Sequence, residues 1–139
     1  MAYSQIIRVR FDEVDYARVV YFPNLFDYCH RVFEDFFGAE VGVPYAQMLC
    51  RRGVGFPTVN ARADFRSPFR FGDDCRVVME ALELGNSSIR TRYRLHAAAS
   101  EIVSAELELV AVSISMDRFQ PVDTPDDVRA AFARHLAAG

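Results

Sequence analysis

The sequence predicts an α+β domain in which an antiparallel sheet wraps one long apolar helix. Three observations carry this. Between Pro23 and Phe37, Leu25, Cys29, Val32 and Phe36 recur at spacings of four, three and four, and Phe26, Phe33 and Phe37 widen the stripe. After Pro57 the apolar period changes to two. The elements run strand, long helix, four strands and a terminal helix, with no βαβ rhythm, repeat or linker. A stripe that broad must pack on something large, most economically a sheet.

Taken in order, Tyr3 to Phe11 reads as a first strand, with Ile7, Val9 and Phe11 alternating against Arg8 and Arg10. An acidic cluster follows (Asp12, Glu13, Asp15), then the apolar run Val19-Val20-Tyr21-Phe22. Pro23 suits a first helical turn, and Asn24 with Asp27 reads as a capping pair; the two mark alternative helix starts one residue apart. Gly38 is a fitting stop. A short helix is expected around Tyr45 to Arg51. Val59, Ala61, Ala63 and Phe65 then alternate with Asn60, Arg62, Asp64 and Arg66. A strand from Cys75 to Leu84 is followed by a Gly85-Asn86 hairpin signal. Ile89, Thr91, Tyr93 and Leu95 alternate with Arg90, Arg92, Arg94 and His96. The last strand, Ile102 to Met116, carries Leu107 and Leu109 on one face, and its apolar parity flips near Val110, as a bulge would produce. Pro121 ends it. Thr124-Pro125-Asp126-Asp127 opens a terminal helix with Ala131, Phe132 and Leu136 as its stripe.

The 139 residues suit one domain, spanning 1–139. The chain is 51% hydrophobic and 25% charged, an ordinary composition for a soluble protein. No apolar run approaches the roughly 20 residues of a membrane span, and the N-terminus shows no secretion signal. A cytoplasmic protein without membrane partners is therefore expected. Net charge of −3 argues against nucleic acid as the main partner. All 16 basic residues are Arg, which excludes Schiff-base, pyridoxal-lysine and phosphate-loop lysine chemistry. Cys29, Cys50 and Cys75 match no zinc or redox spacing, and His30, His96 and His135 are equally dispersed, so no metal site is expected.

The chemistry concentrates between Arg10 and Phe37. There a carboxylate lies a few residues before the N–H-rich, partially positive end of a helix. A site that activates water and holds a developing oxyanion needs those two features close together. On its own, Asp15 reads more readily as a solvated loop acid or a helix cap than as a catalytic group.

Asp15-Tyr16-Ala17-Arg18-Val19-Val20-Tyr21-Phe22-Pro23-Asn24-Leu25 resembles the motif D-x-x-G-V-V-Y-x-x-x-Y/F of the hotdog-fold acyl-CoA thioesterases of the 4-hydroxybenzoyl-CoA thioesterase type. Ala63 to Asp73 and Glu83 to Ser88 resemble that family's second and third strands with their turn, and the likeness covers nearly the whole chain. The resemblance implies a hotdog fold and hydrolysis of an acyl-CoA to free acid and CoA, without a cofactor. It implies a homodimer, or a homotetramer built as a dimer of dimers, formed by edge-strand pairing with the pocket between subunits.

The resemblance places the catalytic carboxylate on Asp15 and the carbonyl-polarising backbone N–H on Phe22. It assigns Arg18, Val20, Tyr21 and His30 to the substrate pocket, and Ser87 and Ser88 to CoA; Arg90, from the arginine row, is a further candidate to hold the CoA phosphates. Arg18 departs from the family Gly, which serves a positive φ or close approach of the thioester. Arg18 could reshape the pocket, favour another acyl group, mark an inactive site, or hold Asp15 by a charge pair. His30 departs from the family's acid. Cys29-His30 is similar to a pair in 1,4-dihydroxy-2-naphthoyl-CoA thioesterases, which points to a flat aromatic acyl group. His30 also reads as a packed histidine at the helix edge. Asp12 and Glu13 read as solvated neighbours, Cys29 as structural, and the Arg90, Arg92 and Arg94 row as a face paired with Glu80, Glu106 and Glu108. Two rivals keep the fold: an acyl-thioester hydratase or dehydratase, for which no Asp stands five residues before a His, and a non-catalytic acyl-CoA binding module.

Overall fold

The computed structural model describes residues 2–138. Strands β1 (Tyr3–Arg8), β3 (Thr58–Phe65), β4 (Asp74–Leu84), β5 (Ser88–Ala97) and β6 (Val103–Val112) form one antiparallel sheet in the order β1-β4-β5-β6-β3. β2 (Val54–Gly55), β7 (Ile114–Ser115) and β8 (Gln120–Pro121) make a small second sheet. Helix α1 (Pro23–Phe36) packs on β1 and β4, with α2 (Tyr45–Cys50) and α3 (Asp126–Ala133) following. The expected α+β hotdog architecture is therefore present. No helix among the described residues is long and apolar enough to cross a membrane.

α1 forms where its stripe requires it. Leu25, Tyr28, Cys29, Val32, Phe33 and Phe36 are buried, one continuous face at helical spacing. Pro23 opens the helix, where its missing N–H leaves no donor unpaired. The Asn24–Asp27 capping pair does not form. Asn24 Nδ2 instead donates to the Glu13 carbonyl at 2.9 Å, and Asp27 accepts from Arg31 one turn on. Gly38 does not stop the helix either. The chain widens into a π turn over Phe37–Val41, and the left-handed residue is Gly42 at φ 84°, whose N–H returns to the Phe37 carbonyl. Burying Phe37 holds the chain in the helix path past Gly38.

In the sheet, β5 alternates as expected up to Leu95, with Ile89, Thr91, Tyr93 and Leu95 buried. His96, expected with the polar residues, is buried too, its Nδ1 3.2 Å from the Ile102 carbonyl where the register against β6 slips. Its arginines face outward and pair across strands: Arg90 with Glu108, Arg92 with Glu80, and Arg94 with both Glu80 and Glu106. β1 ends at Arg8, and Phe11 is exposed in a 3₁₀ turn (Phe11–Glu13) rather than continuing the strand. β3 does not form a hairpin with β4; it crosses to the far edge beside β6, exposed on both faces. The parity of the last strand flips at Ser104–Ala105 and again at Ser113–Ile114, not near Val110. At Ser104 the register against β5 slips by one residue, and the Ser104 carbonyl accepts the Arg66 and Ser67 N–H groups. Pro121 lies within β8. In α3, Val128 joins Ala131 and Phe132 in the core, whereas Leu136 lies past the helix end and is exposed. Phe132 stacks on Phe36 at 4.4 Å, tying α3 to α1.

Candidate active site

The chain leaves β1 through the 3₁₀ turn and makes a compact excursion before α1. Val14 and Val20 bridge antiparallel. Between them the Asp15 N–H donates to the Val19 carbonyl and the Arg18 N–H to the Asp15 carbonyl, each at 2.9 Å. The Asp15 carboxylate accepts the Ala17 N–H at 2.8 Å, an Asx turn that fixes its rotamer. Arg18 sits at φ 71°, the left-handed region that glycine enters freely and arginine only with strain. The position therefore carries the positive φ for which a glycine would be the ordinary residue. Arg18 makes no ion pair with Asp15 among the described residues, so the charge-pair reading is not realised.

Phe22 stands at the mouth of α1. Its carbonyl accepts the Leu25 N–H, while its own N–H makes no hydrogen bond among the described residues. Pro23 has no N–H, so Phe22 presents the unpaired donor at the positive end of the helix.

Glu13 is not a solvated neighbour. The 3₁₀ turn points its side chain inward, leaving it 7% exposed. Its carboxylate accepts the Arg10 N–H at 2.8 Å, the Tyr28 hydroxyl at 2.7 Å and Arg31 at 2.9 Å. Burial opposes ionisation, but these three donors outweigh it and hold the carboxyl below its usual range. Burial, with Glu13 beside it, raises the Tyr28 hydroxyl. The available signal was Tyr28 and Arg31, one turn apart on the edge of the apolar stripe, needing an acid between them. Asp12 is exposed, as expected.

Two hollows flank the turn. One, of about 790 Å³, is bordered by Phe11, Asp15, Tyr16, Arg18 and Phe71. The other, of about 290 Å³, lies against Val20, Phe22, Leu25, Phe65 and Phe69. Asp15 and Arg18 thus share one wall, and Val20 and Phe22 the other. Within a single chain the Asp15 side chain and the Phe22 residue border different hollows, and Asp15 is exposed. The segment Phe65 to Phe69 was missed as pocket wall; its density of aromatics was the signal. Tyr21 is exposed, its ring 5.5 Å from that of Phe22.

His30 lies half-buried between α1 and the sheet, stacked on Phe33 and 3.4 Å from Glu34. It faces a void of about 10 Å³ shared with Thr91 and Tyr93. Ser87 and Ser88 form the β4–β5 turn, and Arg90 pairs with Glu108. That turn follows the C-terminal end of β4, whereas the segment leading to Asp15 is hydrogen-bonded beside its N-terminal end, where the Val9 N–H donates to the Asp73 carbonyl. Burial pushes the Cys75 thiol up to about 12 and the Cys29 thiol well above its usual value, so neither is poised as a nucleophile.

An antiparallel sheet wrapped on one long apolar helix is the architecture of the hotdog class. Comparison with known proteins agrees. The thioesterase-like superfamily model matches residues 9–132. The chain is 30% identical to a 1,4-dihydroxy-2-naphthoyl-CoA hydrolase of Synechococcus sp. (strain CC9311), over 86% of this chain and 83% of that protein. Among solved structures, Slr0204, a 1,4-dihydroxy-2-naphthoyl-CoA thioesterase from Synechocystis, superposes with a TM-score of 0.88 at 21% identity, covering 96% of both chains. The gentisyl-coenzyme A thioesterase BH1999 superposes with a TM-score of 0.81 at 25% identity, covering 94% of this chain and 99% of its own. The chain belongs to the thioesterase-like superfamily, and it is a thioester hydrolase.

Proposed function

We propose that the chain, acting as one thioesterase unit over residues 1–139, hydrolyses an aromatic acyl-CoA of hydroxybenzoyl or naphthoyl type to the free acid and CoA. The observation that carries this reading is the unpaired Phe22 N–H beside an aromatic hollow, seven residues after Asp15. The hollow's 290 Å³ suits a one- or two-ring acyl group. Relatives named for naphthoyl and gentisyl thioesters support an aromatic substrate.

The Phe22 N–H and the α1 dipole polarise the thioester carbonyl and hold the oxyanion of the tetrahedral intermediate. Asp15 takes one of two routes. As a base it accepts a proton from water while the water oxygen attacks, and the intermediate collapses by expelling the CoA thiolate. As a nucleophile its oxygen displaces the thiolate to form an anhydride, which water then cleaves. Val20 borders the hollow beside the Phe22 N–H and would contact the acyl group directly. Arg18 borders the neighbouring hollow with Asp15, Tyr21 is exposed and His30 faces a separate void, so a role for these three in the acyl pocket depends on how a second copy closes the site.

The assembly reading rests on β3. This edge strand leaves backbone donors and acceptors unpaired and exposes Val59 and Phe65. Pairing it with the same strand of a second copy would cover that edge and bring a partner to the exposed Asp15. The separation of the β4–β5 turn from Asp15 makes Ser87, Ser88 and Arg90 candidates for holding CoA at the partner's site, in a homodimer or a dimer of dimers.

A panel of aryl and short aliphatic acyl-CoAs, followed by thiol release, tests the substrate class. Preference for aryl esters supports it; equal or better turnover of short aliphatic esters overturns it.

A further inference from the structure

We propose that Glu13 is a positioning residue for thioester hydrolysis, setting the Asp15 turn relative to the Phe22 N–H by clamping both to α1. This rests on the thioesterase reading above. Glu13 lies two residues before Asp15, and its own backbone carbonyl accepts the Tyr21 N–H at 2.9 Å. Tyr21 directly precedes Phe22. One residue therefore fixes the chain where it departs for Asp15 and where it returns to the oxyanion donor.

The same residue is bound to the helix three times. Its carbonyl accepts Asn24 Nδ2 at 2.9 Å, and its carboxylate accepts the Tyr28 hydroxyl at 2.7 Å and Arg31 at 2.9 Å. Positions 24, 28 and 31 lie at spacings of four and three, one face of α1. Arg31 is itself braced by Asp27 at 2.9 Å. With the Arg10 N–H on the carboxylate, Glu13 engages five donors. None of these atoms needs to touch substrate. The turn between Asp15 and Val19 is otherwise held by short-range bonds that define its shape but not its place on the helix. A carboxylate suits this role because three donors converge on it, one from the start of the 3₁₀ turn and two from α1. Misplacing reacting groups by about 1 Å can cost about a hundredfold in rate.

The test uses Tyr28→Phe and Asn24→Ser, which each remove one arm of the clamp, beside Glu13→Gln. All are assayed as full chains on the best aryl-CoA substrate, at a temperature where circular dichroism shows them folded. The expected result is a kcat lower by about tenfold or more in each folded variant with KM within about twofold. A purely structural role would lower the melting temperature and leave kcat of the folded fraction unchanged. Wild-type kcat in folded Tyr28→Phe and Asn24→Ser overturns the inference while the thioesterase reading stands. A wild-type chain inactive on every thioester overturns both.

Discussion

The Tyr28 hydroxyl donates to the Glu13 carboxylate at 2.7 Å, joining the buried face of α1 to the turn that carries Asp15. The depressed Glu13 carboxyl gives this contact a pH signature. The folded state binds its proton less tightly than the unfolded chain, so the contribution is complete above the usual value of 4.5 and is lost as pH falls through the lower folded value. Glu13→Gln is expected to cost about 2 kcal/mol at pH 7. Melting curves from pH 7 to pH 3 check this. The gap between wild type and variant should close below about pH 4.5; a gap that stays constant contradicts the ionised state.

Arg18 pays for its left-handed backbone. Arg18→Gly removes a strain of about 1–2 kcal/mol and adds unfolded-chain entropy of up to about 1 kcal/mol. The variant should be as stable as wild type or more stable by up to about 1 kcal/mol by chemical denaturation. A clear loss of stability would mean that the arginine side chain makes compensating contacts.

Much of this was legible in the sequence. The α1 stripe, the β5 alternation as far as Leu95 and the arginine row each follow from a single period, and each appears as expected. What was not legible depends on contacts distant in the chain. Glu13 looked solvated because its partners, Tyr28 and Arg31, lie 15 and 18 residues on. Gly38 looked like a stop because glycine commonly ends a helix, and nothing local shows that the chain widens into a π turn there and leaves the helix only at Gly42. The β3 crossover is invisible because a strand's own pattern does not name its neighbour. Asp15 and Phe22 were placed by the motif; that they border different hollows depends on how the turn folds back at Val20, whose N–H donates to the Phe69 carbonyl at 2.8 Å.

The thiols should separate cleanly by burial. Cys29 and Cys75 are buried with raised pKa values, and Cys50 is exposed. An aromatic disulfide reagent at pH 8 should label one thiol rapidly in the native protein and the other two only on unfolding. Rapid labelling of all three would contradict the packing of α1 on β4.

Phe36 joins three elements: it meets Tyr3 edge-on at 5.4 Å, Phe132 by stacking at 4.4 Å, and His135 at 5.2 Å. Phe36→Ala should cost about 3–5 kcal/mol by urea denaturation. A cost below about 1 kcal/mol would show that the helix, sheet and α3 are not packed through this ring.

Asp15→Asn is the most direct measurement of the central claim. It keeps the shape of the side chain and its acceptor for the Ala17 N–H, and removes the charge that either hydrolytic route needs. The predicted result is a folded protein, melting within a few degrees of wild type, whose kcat on an aryl-CoA is lower by about 10²–10⁴-fold. Near-normal thiol release by that folded variant would contradict the assignment of Asp15 as the catalytic carboxylate.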